Sequence, residues 1–234
     1  MKIAVISDLH LGPGDKADLF GHDESKFLKF LNFLESNFER IILLGDIWET
    51  LTPQWPDPVR ALKQSREAHP LIARRFERAQ YTYIHGNHDI IAGQVCRAPE
   101  ELQLNVDGTR LLFTHGHHHD ALIRHARWAS EFAVWLGGWI LRVGLGAVYK
   151  LFDEFDKVMS GAHTDHSRCT FQRWAIDLAS AHGADVIVTG HTHIPLKQEH
   201  QQGLYLNSGS CSHGHLSYLA MDTRAAQYAV HTSW

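Results

Sequence analysis

The chain has 234 residues, 44% apolar and 21% charged, which suits one large globular domain over residues 1–234 and excludes a disordered chain. Its formal net charge of −4 argues against binding nucleic acid through bulk charge, so no nucleic-acid partner is expected. Cys96, Cys169 and Cys211 lie far apart with no C-x-x-C spacing and read as reduced thiols of a cytosolic protein. The chain opens on a short strand already inside a motif, with no secretory leader.

Lys2–Ile6 is a β-branched run and reads as a central strand. It ends in Ser7-Asp8-Leu9-His10. In extended chain, residues two apart point the same way, so Asp8 and His10 can reach one point together. Residues 24–38 carry Phe27, Leu28, Phe30, Leu31, Phe33, Leu34 and Phe38 at helical spacing. The strand Arg40–Leu44 follows, which makes a β-α-β unit with a parallel crossover and places the chain in the α/β class. That strand runs through Gly45 into Asp46, with Trp48 and Glu49 behind. Alone, this aspartate reads more readily as a helix cap.

Residues 51–58 hold three prolines and form a loop. Residues 59–79 are helical with a break at His69-Pro70, because proline disfavours helix at the residue before it. Tyr81–Ile84 is a strand ending in Gly86-Asn87-His88-Asp89. Glu101–Val106 and Thr109–Thr114 form a hairpin on Asp107-Gly108. Its second strand ends in His115-Gly116, then His117, His118, His119 and Asp120. A helix at roughly 166–182 and a strand at 185–189 lead to Gly190-His191-Thr192-His193. The remaining strands, near 194–200, 204–206, 216–221 and 227–230, read as an antiparallel meander.

Each polar cluster sits where a strand stops, and strand C-terminal ends gather along one edge of a parallel sheet. In order they supply Asp8, His10, Asp46, Asn87, His115, His191 and His193. This set of carboxylate, amide and imidazole groups, without thiolate, suits Mn²⁺, Fe, Co²⁺ or Zn²⁺. The 19 histidines of the chain fit the same purpose. Seven ligands exceed one ion and suit two divalent ions sharing a bridge, roughly 3.5–4 Å apart.

The blocks D-L-H, G-D-I-W-E, G-N-H-D, H-G-H and G-H-T-H stand in this order from Asp8 to His193. Together they resemble the calcineurin-like metallophosphoesterases. The resemblance implies a sandwich of two mixed β-sheets flanked by helices, with the metals at the apex. It implies that Asp8, His10 and His193 hold one metal, that Asn87, His115 and His191 hold the other, and that Asp46 bridges. His88 would contact phosphate and assist the leaving group, with Asp89 fixing its ring. Two ions clamping a phosphate lower the pKa of a bridging water, and the hydroxide attacks phosphorus in line. A non-catalytic scaffold of this fold is the contrasting class, and it would be expected to have lost ligands or His88; none is missing.

Residues 120–165 read as a helical insertion. Trp128, Phe132, Trp135 and Trp139 fall on one helical face, and Gly137-Gly138 marks a kink or a close helix contact. No apolar run reaches the 18 or so residues that span a bilayer. The face either packs on the domain, or forms an apolar lid rimmed by Arg124, Arg127, Arg142 and Lys150, or makes a homodimer interface. On the lid reading, Trp135, Trp139, Arg142 and His117 bind substrate. His118 and His119 read as solvated or helix-capping residues, and His163 and His166 as surface residues. Glu49 is either the partner of a ligand or part of a turn salt bridge.

The insertion, with D-L-H-L and the G-D-[LI]-[FW]-E block, is similar to the UDP-2,3-diacylglucosamine pyrophosphohydrolase branch of the family. That branch implies a phosphorylated, acylated substrate, Mn²⁺ first among the metals, and a cytoplasmic protein peripheral at the inner membrane face. The best-characterised members carry arginine where this chain has His88. A metallophosphoesterase acting on soluble phosphodiesters or nucleotides therefore stays open.

Overall fold

The computed structural model describes residues 1–52, 57–119, 121–145, 170–201 and 203–234, with the backbone alone at 121–127, 129 and 130. Asp120, Lys150, His163, His166 and Cys169 lie outside the described residues, as do the side chains of Arg124 and Arg127.

Strand β1 (Lys2–Ile6) lies at the centre of the first sheet. It pairs in parallel with β2 (Arg40–Leu44), which pairs in parallel with β3 (Tyr81–Ile84). Helix α1 (Glu24–Asn37) makes the β1–β2 crossover, and Asp23 caps it by accepting from the Lys26 N–H at 2.9 Å. Helices α2 (Pro58–Ala68) and α3 (Pro70–Phe76) link β2 to β3. The break between them falls at His69, as proline at 70 requires. A short helix, α4 (Ile91–Val95), follows the third cluster.

The second sheet begins with the hairpin β4 (Glu101–Val106) and β5 (Thr109–Thr114). Helix α5 (Ala121–Arg142) follows, then α6 (Thr170–His182). Strand β6 (Val186–Thr189) pairs in parallel with β5 and with β8 (Gly203–Asn207), and β7 (Leu196–His200) closes the edge antiparallel to β8. Strands β9 (Tyr218–Asp222) and β10 (Gln227–His231) return to the first sheet, with β9 antiparallel to β1.

The result is two mixed five-stranded sheets, β10-β9-β1-β2-β3 and β4-β5-β6-β8-β7, flanked by helices. Alternation along each strand makes the layers. Ile3, Val5, Ile42 and Leu44 pack between the sheets against Leu111, Phe113, Val186 and Val188. Ala4, Ile6, Ile41 and Leu43 face outward onto Phe27, Phe30, Leu31 and Leu34 of α1. Leu112, Ile187 and Tyr205 face Phe171, Ala175 and Ala179 of α6. Strands buried on both faces carry continuous apolar runs, which is why RIILL and VIVT read as they do.

One expectation differs from the structure, and one open choice is decided by it. The last strands do not form one meander. Leu219 and Met221 of β9 fill the inter-sheet core, while Tyr218 packs outward against Phe30. A strand buried on both faces belongs beside β1, not on an outer edge. Helix α5 also runs unbroken through Gly137-Gly138. Gly138 instead sits against Thr52, where an added Cβ would stand 2.9 Å from Thr52 Cβ. No helix among the described residues is long and apolar enough to cross a membrane.

Candidate metal centre

The parallel strands β1, β2, β3, β5 and β6 deliver their following loops to one edge of the sandwich. There the backbone turns sharply. Among the described residues, nine non-glycine residues have positive φ, and five of them are Asp8 (53°), His10 (49°), Asp46 (53°), His191 (67°) and His193 (58°). Left-handed backbone at residues with a Cβ costs on the order of 1–3 kcal/mol each and gathers at functional sites. The strain here falls on expected ligands.

The structure brings these residues together. Asp8, His10 and His193 form one group and Asp46, His115 and His191 another, with ligand atoms in each group within 4.8 Å of one another. His10, Asp46 and His88 meet the same criterion. His10 and His88 meet edge to face at 4.5 Å between ring centroids, and His115 and His191 at 5.3 Å.

A sharper observation comes from polar atoms without partners. Asp8 Oδ1, His10 Nε2, Asn87 Oδ1, His115 Nε2 and His191 Nε2 are buried and make no hydrogen bond. Asp8 Oδ1 faces His193 Nε2 at 3.1 Å, and Asp46 Oδ2 faces His115 Nε2 at 3.2 Å, neither with hydrogen-bond alignment. Buried polar groups are nearly always paired. Five such atoms on five of the seven expected ligands, each a lone pair, fit divalent cations of the Mn²⁺, Fe, Co²⁺ or Zn²⁺ type.

Neighbouring groups fix how the ligands present themselves. His115 Nδ1 lies 2.9 Å from the Leu44 carbonyl, so its Nε2 is the free nitrogen. The Ser7 hydroxyl donates to Asp8 Oδ2. The His88 N–H donates to Asp46 Oδ1 at 2.8 Å. Glu49 Oε2 lies 2.8 Å from His88 Nδ1 and 3.3 Å from His10 Nδ1.

That last contact corrects one expectation. Asp89 does not fix the His88 ring. Its carboxylate turns inward and accepts the N–H groups of Gly86 (2.6 Å), Ile47 (2.7 Å) and Trp48 (3.2 Å), and the Tyr83 hydroxyl. Asp89 thus clamps the β2 loop to the β3 loop, while Glu49 holds His88. Of the two readings of Glu49, the contacts give the partner of a ligand, through His10; its Oε1 accepts the Leu51 and Thr52 N–H groups of the turn as hydrogen bonds, not as a salt bridge.

Burial pushes the Asp46 carboxyl up, but His115 and His88 beside it hold it well below the carboxylate range. Burial pulls His88 down, yet Glu49 and Asp46 outweigh it and raise the imidazole to about 10. His115 is raised to about 9 against its burial by Asp46 and Asp8. Burial and His115 press His191 down to about 3. Asp89 is raised, first by burial and then by Asp46. The carboxylates at the centre therefore draw positive charge toward themselves.

His117 is buried against His115 and His118, at 5.8 and 4.1 Å between centroids. Its Nδ1 has no hydrogen-bond partner, and burial with His115 presses its pKa to about 2. His118 pairs with Glu100 at 3.4 Å. His119 packs on Phe171 and Trp174 at the start of α6. On α5, Trp135 stacks on Phe132 at 5.7 Å and meets Trp139 at 6.2 Å. Trp128 is 76% exposed and Phe132 56% exposed. Arg142 is held to the body: Nε and Nη2 reach Asp15 Oδ2 at 2.9 and 2.8 Å, and Nη1 donates to the Thr52 carbonyl at 2.6 Å. A small cleft of about 80 Å³ opens between Asn87 and α5, lined by Thr50, Leu51, Ile90, Ile91 and Glu131.

Tyr83 and Ser7 were not legible as site residues. Both lie within or beside strands, and only the fold shows that their hydroxyls reach Asp89 and Asp8.

The family model described as calcineurin-like phosphoesterase matches residues 1–195. The UDP-2,3-diacylglucosamine hydrolase of Blochmanniella pennsylvanica (strain BPEN) is 25% identical over 213 residues, covering 83% of this chain and 80% of its own length. Among solved structures, a conserved uncharacterised protein and predicted phosphoesterase of Streptococcus pneumoniae TIGR4 aligns with a TM-score of 0.46 at 17% identity, covering 99% of this chain and 97% of its own. A single mutant of Vps29 from Entamoeba histolytica aligns with a TM-score of 0.49 at 14% identity, covering 99% of each chain.

Proposed function

The chain belongs to the calcineurin-like phosphoesterase family, and from that membership we propose that it is a two-metal hydrolase whose substrate is UDP-2,3-diacylglucosamine or a related lipid-linked nucleotide. The observation that carries the two-metal reading is the set of five buried, unpaired ligand atoms at converging strand ends. Asp8, His10 and His193 would hold one ion, Asn87, His115 and His191 the other, and Asp46 both. Mn²⁺ is the leading ion, with Fe, Zn²⁺ and Co²⁺ as alternatives. Two ions bound there would clamp phosphate oxygens and bring the pKa of a water close to neutrality.

The protein's own groups do the rest. His88 keeps Nδ1 on Glu49 Oε2, which leaves Nε2 for a phosphate oxygen or the leaving group. Glu49 and Asp46 favour its protonated form, which can meet developing charge and give up a proton. Asp89 binds the two loops that carry Asp46 and His88 and so fixes their separation.

The lipid-linked substrate is supported by the relative described as a UDP-2,3-diacylglucosamine hydrolase and by the apolar face of α5 beside the Asn87 cleft. His117, Trp135 and Trp139 would contact the substrate. A cytoplasmic site of action, at the inner membrane face, accords with this. A soluble phosphodiester or nucleotide is the second reading. It is favoured by one observation: the guanidinium of Arg142, one of the four cations of the expected rim, is already taken up by Asp15 and Thr52.

The test is hydrolysis of UDP-2,3-diacylglucosamine by Mn²⁺-loaded protein, read as UMP release, beside bis(p-nitrophenyl) phosphate. Preference for the lipid substrate supports the reading. Turnover of the soluble ester alone contradicts the substrate and leaves the chemistry standing.

A further inference from the structure

Glu49 connects two parts of the molecule that the hydrolase reading treats separately. It is 1% exposed, so water does not compete for its oxygens. Oε2 serves the Nδ1 atoms of both His10 and His88. Oε1 accepts the Leu51 and Thr52 N–H groups at 2.8 and 3.1 Å. The Thr52 carbonyl accepts Arg142 Nη1 from the end of α5, and Gly138 of α5 rests on Thr52 with no room for a Cβ. Thr50, one residue beyond Glu49, also donates both its N–H and its hydroxyl to the His88 carbonyl.

We propose that Glu49 is a positioning residue that makes the alignment of His88 depend on how helix α5 sits on Thr52; this rests on the hydrolase reading above. Sharing one carboxylate oxygen has a geometric consequence. With both Nδ1 atoms held by Glu49, the Nε2 atoms of His10 and His88 are the two left for ligand and substrate. The other oxygen anchors that carboxylate to the 51–52 backbone. The 51–52 backbone is anchored in turn by Arg142 and by the close approach of Gly138. A shift of α5 therefore moves the group that holds His88. The coupling runs through contiguous hydrogen bonds and can be measured as a double-mutant interaction.

Arg142 allows a clean test because it lies outside the metal centre. With Mn²⁺-loaded protein and bis(p-nitrophenyl) phosphate, Glu49→Gln and Arg142→Ala should each lower kcat by about 10-fold or more, as misplacement of a reacting group does. KM should change little, and metal content should be kept. The double variant should fall no further than Glu49→Gln alone. Effects that multiply would overturn the coupling. So would an Arg142→Ala variant with raised KM and unchanged kcat, which would make Arg142 a substrate contact.

A second readout needs no turnover. In the Zn²⁺-loaded protein, the His88 Nδ1–H resonance should shift in Arg142→Ala as well as in Glu49→Gln. An unmoved resonance in Arg142→Ala would overturn the proposal even where the enzyme is active. A native protein inactive on both esters, but with the resonance shifted by Arg142→Ala, would instead fail the hydrolase reading and keep the coupling.

Discussion

Gly86 lies so close to Asp46 that a Cβ on it would overlap Asp46 Oδ1 and crowd the Asp46 N–H and the His115 ring. Gly45, at φ +83°, stands in the same relation to the His115 ring. The glycine before a ligand cluster is thus more than a turn. It is the space into which the ligand of a neighbouring strand fits.

Gly86→Ala should therefore displace Asp46 without disturbing the sheets, because the clash is confined to the strand ends. The expected outcome is loss of bound metal with an unchanged far-ultraviolet circular dichroism spectrum. Full metal occupancy in this variant would contradict the packing argument.

His88→Ala should lower turnover by roughly 10²–10⁴, as removing a positioned proton donor does. Metal content should be retained, since the seven expected ligands remain. Steady-state kinetics with metal analysis on the same preparation checks both halves. Full activity would remove His88 from its role.

A third prediction concerns stability away from the centre. His69, between α2 and α3, faces Asp18 Oδ2 at 3.8 Å and Glu24 Oε2 at 3.5 Å. Burial pulls its pKa down, but these carboxylates raise it above the ordinary 6.5. A raised folded-state pKa contributes stability that is full below pH 6.5 and is lost as pH rises through the folded value. His69→Gln should thus lower Tm more at pH 6 than at pH 9. An equal loss at both values, or a larger one at pH 9, would contradict it.

Much of the fold was legible because local patterns agreed with it. Apolar runs such as RIILL and VIVT are long enough for buried strands and too short for helices. The break at His69-Pro70 follows from the missing proline N–H. The ligand set was legible because each polar cluster stops a strand, and strands of one sheet end together. The carboxylate that holds His88 was not legible. Asp89 is its sequence neighbour, but the β2 loop faces the β3 loop so that Glu49, 39 residues away, reaches Nδ1. The partner of β9 was equally hidden, since pairing with β1 joins opposite ends of the chain. At Gly137-Gly138 the sequence pointed to a kink or a contact, and only the position of Thr52 decides for contact.

Asp46 groups with His10 and His88 on one side and with His115 and His191 on the other, so the central claim is tested most directly by metal content per chain in the native protein and in Asp46→Asn. The account predicts two transition-metal ions in the native protein and loss from both sites in the variant. A native protein without stoichiometric metal, or an Asp46→Asn variant that still holds two ions, would contradict it.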